Sequence, residues 1–152
     1  MSKKQSVSDQ GVDQGIYAAY ETDKAAETEG QWVTGLRQGM DVKVARFGNE
    51  KYRKSFQRRI KPFRQQFDRD AMDEGKLTEI MIAAIADGIL IDWNGPGFVD
   101  RDGNALEYSR DAAVTLLTDL PDFREDIIAL SREAETYRKQ DQEESAGNSS
   151  AS

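Results

Sequence analysis

Residues 50–67 read EKYRKSFQRRIKPFRQQF, and the order of apolar and basic side chains in this stretch decides the fold class. Tyr52, Phe56, Ile60, Phe63 and Phe67 recur at intervals of four, four, three and four, which sets them on one stripe of a helix. Arg53, Lys54, Arg58, Lys61 and Arg64 cover the other faces. Pro62 has no backbone N–H to donate, so a kink or a break into two helices is expected just before it. Asn49, after Gly48, suits the N-cap of this helix.

Working outward, the preceding segment 31–47 reads as a hairpin. Trp32, Val33 and Leu36 lead into an Arg37-Gln38-Gly39 turn, after which Met40, Val42 and Val44 alternate with Asp41 and Lys43. Downstream, Leu77, Ile80, Met81, Ala84, Ile85 and Ile89 mark a second helix with almost no charge after Glu79, expected to be the most buried. The run Ile89-Leu90-Ile91 with Trp93 is expected to end that helix, before Asn94-Gly95-Pro96-Gly97 forces a turn. Phe98, Val99, Leu106 and Tyr108 flank Asp102-Gly103-Asn104, which predicts a small second hairpin. Ser109 caps a third helix through Leu117, and Pro121 suits the first turn of a fourth. In that fourth helix Phe123, Ile127, Leu130, Ala134 and Tyr137 form the apolar stripe. The expected fold is mainly α (α+β): a helical domain of about four helices with one or two short β-hairpins, spanning residues 31–139. Residues 1–30 and 140–152 are polar enough to be expected as disordered tails.

Composition limits the chemistry. The 152 residues contain no histidine and no cysteine, which removes the commonest zinc and copper ligands, thiol nucleophiles, disulfides and the usual general base near neutral pH. Oxygen ligands remain, and Asp100, Asp102, Asn104 and Glu107 crowd one loop. An EF-hand needs glycine at its sixth position and glutamate at its twelfth, a pattern this loop lacks, so a hairpin turn with solvated acids accounts for it. Asp87 and Asp92 flank an apolar segment, but no spacing rule makes them an acid–base pair, and Asp92 before Trp93 reads as a turn acid. Gly95-Pro96-Gly97 lacks the lysine and glycine spacing of a phosphate loop. No catalytic residue, metal site or cofactor is assigned. No apolar stretch approaches a secretory or membrane-spanning segment, so neither export nor insertion is expected.

The net charge of −7 is unevenly placed: residues 46–69 carry nine Lys or Arg against two Asp or Glu, whereas residues 70–152 carry seven against 19. The cations of this block, Arg53, Lys54, Arg58, Arg59, Lys61 and Arg64, are the candidate partner-binding residues. Three readings stand side by side. The block is a solvated face neutralised by the chain's own acids, a contact for an acidic protein, or a nucleic-acid surface. The last is weakened because Tyr52, Phe56, Phe63 and Phe67 are spaced as core rather than as a base-stacking platform.

Taken in order, several short blocks resemble the tail assembly chaperones of long-tailed phages, encoded next to the tape-measure protein. They are Tyr52-Arg53-Lys54 opening the basic helix, Ile89-Leu90-Ile91-Asp92-Trp93-Asn94-Gly95, Asp100-Arg101-Asp102-Gly103-Asn104, Tyr108-Ser109, Asp122-Phe123 and Tyr137-Arg138. The resemblance spans about Trp32 to Arg138 and implies a non-enzymatic protein that keeps the tape-measure protein soluble and helps recruit the major tail-tube protein. It further implies a longer frameshifted product carrying the contact for the tube subunit, possible self-association, a place in the host cytoplasm and absence from the mature virion. Membrane binding is not expected. A small nucleic-acid-binding regulator using the basic helix 50–67 is the alternative.

Overall fold

The computed structural model describes residues 14–133 and Tyr137. The hairpin forms as the alternation predicts: strand β1, Gln31–Leu36, runs antiparallel to β2, Met40–Val44, with Val33 opposite Val42 and Leu36 opposite Met40. Arg37–Gly39 turns between them as one turn of 3₁₀ helix, with Gln38 and Gly39 both at positive φ. Helix α3, Glu50–Ile60, is capped by Asn49, whose side chain accepts from the Tyr52 N–H at 3.1 Å. The helix breaks ahead of Pro62 as expected, passing through a 3₁₀ turn at Lys61–Phe63 into the short α4, Arg64–Asp68. Helix α5, Glu74–Gly88, carries more of the buried aliphatic residues than any other element among the described residues. Asp73 caps it, accepting from the Lys76 N–H at 2.9 Å.

Two helices follow as predicted. Ser109 caps α6, Arg110–Asp119, and Pro121 opens α7, Pro121–Arg132. The architecture is therefore mainly α with a small antiparallel sheet. Its main helix contact is α3 against α5, so close at Gly88 that a Cβ there would lie 2.5 Å from the Tyr52 backbone nitrogen. Along the stripe read from sequence, the Tyr52 ring packs on Phe47 and Phe56, and Phe56 meets Phe67 edge-on at 5.8 Å.

Four expectations need correction. The run after Ile89 does not end the helix: α5 stops at Gly88, and Leu90–Asn94 forms a third strand, β3, antiparallel to β2 with Val42 opposite Trp93 and Val44 opposite Leu90. A short apolar run is ambiguous between buried helix and buried strand, and the free edge of β2 resolves it. The sheet order is β1-β2-β3, and Val42 and Val44 on the central strand are fully buried.

The second hairpin reduces to an isolated bridge between Val99 and Ala105 around the Gly103 turn, too short for a ladder. Third, α7 ends at Arg132, because Glu133 takes an extended backbone, so the fourth-helix stripe is interrupted. Tyr137 is nevertheless buried, and its hydroxyl donates to the Val44 carbonyl at 2.8 Å. Desolvation pushes its phenol well above the usual range. Fourth, the segment read as disordered through residue 30 contains α1, Ile16–Tyr20, and α2, Lys24–Glu29. Asp23 caps α2, Ala26 is buried, and Glu27 accepts from Arg46 at 3.0 Å. Polar composition hid these elements because the contacts that hold them lie far along the chain. The tail 140–152 and Ala134 lie outside the described residues.

Candidate functional site

Of the six cations singled out by the sequence, four face a carboxylate of the chain itself. Lys54 pairs with Glu50 at 3.0 Å and Arg64 lies 4.0 Å from Asp68, both one turn apart on their helices. Arg58 and Arg59 reach across to Asp87 on α5, at 3.8 and 3.1 Å. Arg53 and Lys61 are exposed and have no ion-pair partner among the described residues. Four of the six therefore have an acid of the chain within 4.0 Å, but only three carboxylates serve them and Asp87 is shared, so the block is partly neutralised and keeps a net positive charge.

Asp87 is the centre of that neutralisation. Its carboxylate accepts from the Ser55 hydroxyl at 2.6 Å and from Arg59, and on its other oxygen from Arg110 at the start of α6. Burial by itself would raise this carboxyl, but the hydrogen bonds from Arg110, Ser55 and Arg59 outweigh it and bring it down to about 2. One acid thus ties α3, α5 and α6 together, and its chemistry is that of a structural anion, not of a proton donor near neutral pH. Asp92 is not the turn acid the sequence suggested: it lies within β3 opposite Lys43, and its carboxylate accepts from the Trp93 N–H at 2.8 Å. Asp100 behaves similarly: its Oδ1 accepts from the Asp102 and Asn104 N–H groups at 2.9 Å, and these bonds, the Asn104 one foremost, lower its carboxyl. Among the described residues no group of three potential metal ligands converges.

A different place on the molecule presents unpaired apolar surface. Trp93 stacks on Phe98 with ring centres 4.8 Å apart, and its indole N–H donates to the Leu106 carbonyl at 2.8 Å, which pins the 98–106 loop against the sheet. Phe98 in turn meets Phe123 of α7 edge-on at 6.3 Å. Between this loop, the β2 end and the α6–α7 junction lies an open cleft of about 290 Å³, floored by Met40, Phe98, Leu106, Leu116 and Phe123. Val99 and Leu120 stand on its edge, 43% and 45% exposed, and the Asp122 and Asp126 carboxylates with Arg37 complete the rim. No residue of 50–67 lines it.

Leu120 is the telling residue. It sits between α6 and α7 at φ −124°, ψ 84° as the N-cap of α7, and gives that helix no side-chain cap. Asp, Asn, Ser or Thr is preferred there, so a leucine at this position is a locally unfavourable choice for the helix start. Sequence inspection found Phe98, Val99, Leu106 and Phe123 but read them as hairpin and helix interior. The available signal was Leu116 and Leu120 at helical spacing, immediately before Pro121.

The chain was compared with known proteins. A family model described as YdaY prophage protein matches residues 47–148, about two thirds of the chain. The protein belongs to this family. It is thus phage-derived, and the matched region of this YdaY-family chain contains α3 to α7, the Asp87 network and nearly all of the cleft. No curated protein and no solved structure matches it. No helix among the described residues is long and apolar enough to cross a membrane.

Proposed function

We propose that this prophage-encoded protein is a non-enzymatic tail assembly chaperone that binds the tape-measure protein, keeps it soluble and helps bring tail-tube subunits to it. The phage origin of the family supports the setting, and the ordered sequence blocks from Trp32 to Arg138 support the role. The observation that carries the reading is the exposed apolar cleft around Phe98, Leu116 and Phe123 on an otherwise charged chain. A holdase works by offering apolar surface to a client whose own apolar stripes are not yet buried, and such a surface is a liability without a client. In this proposal the protein acts in the host cytoplasm, is absent from the mature virion, and meets the tube subunit through a longer frameshifted form.

Co-expression with the tape-measure protein of the same prophage tests it. The tape-measure protein is expected in the soluble fraction only when this protein is present, and to co-purify with it. A tape-measure protein that is soluble alone, or insoluble in both cases, overturns the role.

A further inference from the structure

Resting on the chaperone reading, we infer that the cleft at the α6–α7 junction is the docking site for an amphipathic client helix whose apolar stripe is flanked by Lys and Arg. The basic face of α3 is then not the client contact.

Three observations converge on this occupant. The floor is apolar and its edge residues Val99 and Leu120 are partly exposed, with Leu120 occupying a cap position that a polar residue would serve better. The volume of about 290 Å³ takes the side chains of one helix face rather than a folded element. The surrounding charge is mainly negative: against the single cation Arg37 on the rim, residues 99–126 hold eight carboxylates and three guanidiniums. Two of those three are engaged elsewhere in the fold, Arg110 on Asp87 and Arg124 on the Leu117 carbonyl at 2.8 Å. Asp122 and Asp126, one turn apart on α7, flank the opening. An acidic rim around an apolar floor repels an acidic amphipath and attracts a basic one. The six cations of residues 53–64 offer less, since four of them already face carboxylates of the chain.

The full-length protein is titrated with a fluorescein-labelled Leu/Lys amphipathic helix of about five turns, and with the same peptide carrying Glu for Lys, by fluorescence anisotropy. The Leu/Lys peptide is expected to bind at least roughly tenfold tighter, with affinity falling as salt rises. Leu120→Asn combined with Val99→Ser removes only exposed apolar groups and adds no charge, and is expected to weaken binding by roughly tenfold or more. Arg53→Glu with Lys61→Glu, on the basic face, is expected to retain it. Equal binding of the Glu peptide overturns the inference, as does unchanged binding by the Leu120→Asn/Val99→Ser variant. An oligomer of the free protein that this variant dissolves also overturns it, by making a second copy the occupant. If the peptide binds as expected but the tape-measure protein is not held soluble, the chaperone role falls and the docking site stands. If the variant holds the tape-measure protein soluble as well as the parent does, the docking site falls and the role stands.

Discussion

The basic face of residues 53–64 and the α6–α7 cleft are two surfaces that invite a partner, and they differ in how much of their chemistry is already used. Over residues 53–64 the charges are conspicuous in the sequence, yet Arg58 and Arg59 converge on Asp87, while Lys54 and Arg64 have carboxylates one turn away. At the cleft nothing stands out in the sequence, yet Leu120 and Val99 are only partly covered and Phe98, Leu116 and Phe123 line an open floor. A charge run announces itself by composition, but its availability is decided by what folds against it. An apolar cleft is assembled from residues far apart and becomes visible only when the elements meet.

Substitutions at the packed ends of both regions should have the largest effect. Gly88→Val would push a side chain into the Tyr52 backbone, which cannot yield as a flexible side chain can, and a loss of about 3 kcal/mol or more is expected in urea unfolding. Leu117→Ala, at a fully buried position on α6, should cost about 3 kcal/mol, whereas Leu120 three residues later should be replaceable without loss. If the two leucines proved equally sensitive, the cleft would be core and not surface.

Asp87 gives the next effect and a pH signature. Its folded-state value of about 2 lies below the ordinary 3.8, so its contribution is present above about pH 4 and is lost as pH falls through about 2. Asp87→Asn should therefore lower stability by about 1–2 kcal/mol near neutral pH, and the gap from the parent should close between about pH 4 and pH 2. A pH-independent gap in urea midpoints would show that packing of Ser55, and not the ion network, sets its role. Leu120→Asn comes next: it supplies the missing cap of α7 and is expected to raise stability by up to about 1 kcal/mol while binding weakens. A destabilised variant would mean that Leu120 is packed rather than waiting for a partner. Smallest of all, Lys54→Ala removes an exposed pair with Glu50 and should leave the thermal midpoint unchanged within error.

Much of the fold was legible because it is written in local patterns. The four-three spacing of Tyr52, Phe56, Ile60, Phe63 and Phe67, the break at Pro62, and the Asn49 and Ser109 caps all act within a turn or two of the backbone. The hairpin 31–44 was legible for the same reason. The third strand was not, because Leu90-Ile91-Asp92-Trp93 satisfies helix and strand patterns alike, and its state depends on the edge of β2 some fifty residues earlier. The candidate site divides in the same way: the six cations were found by counting, while the pairing of Arg58 and Arg59 with Asp87 requires α3 and α5 to be in place.

By itself, then, the sequence determined the helical class, the starts of α3, α6 and α7, the Pro62 break, the absence of histidine and cysteine chemistry, and the segregation of charge along the chain. Tertiary structure alone decided that Leu90–Asn94 completes the sheet, that Lys24–Glu29 and Tyr137 join the core, and that an apolar cleft remains open beside Leu120. The physical reason is range. Caps, periodicity and proline act through the neighbouring backbone, whereas burial and charge compensation depend on which distant side chains the fold brings within a few ångströms.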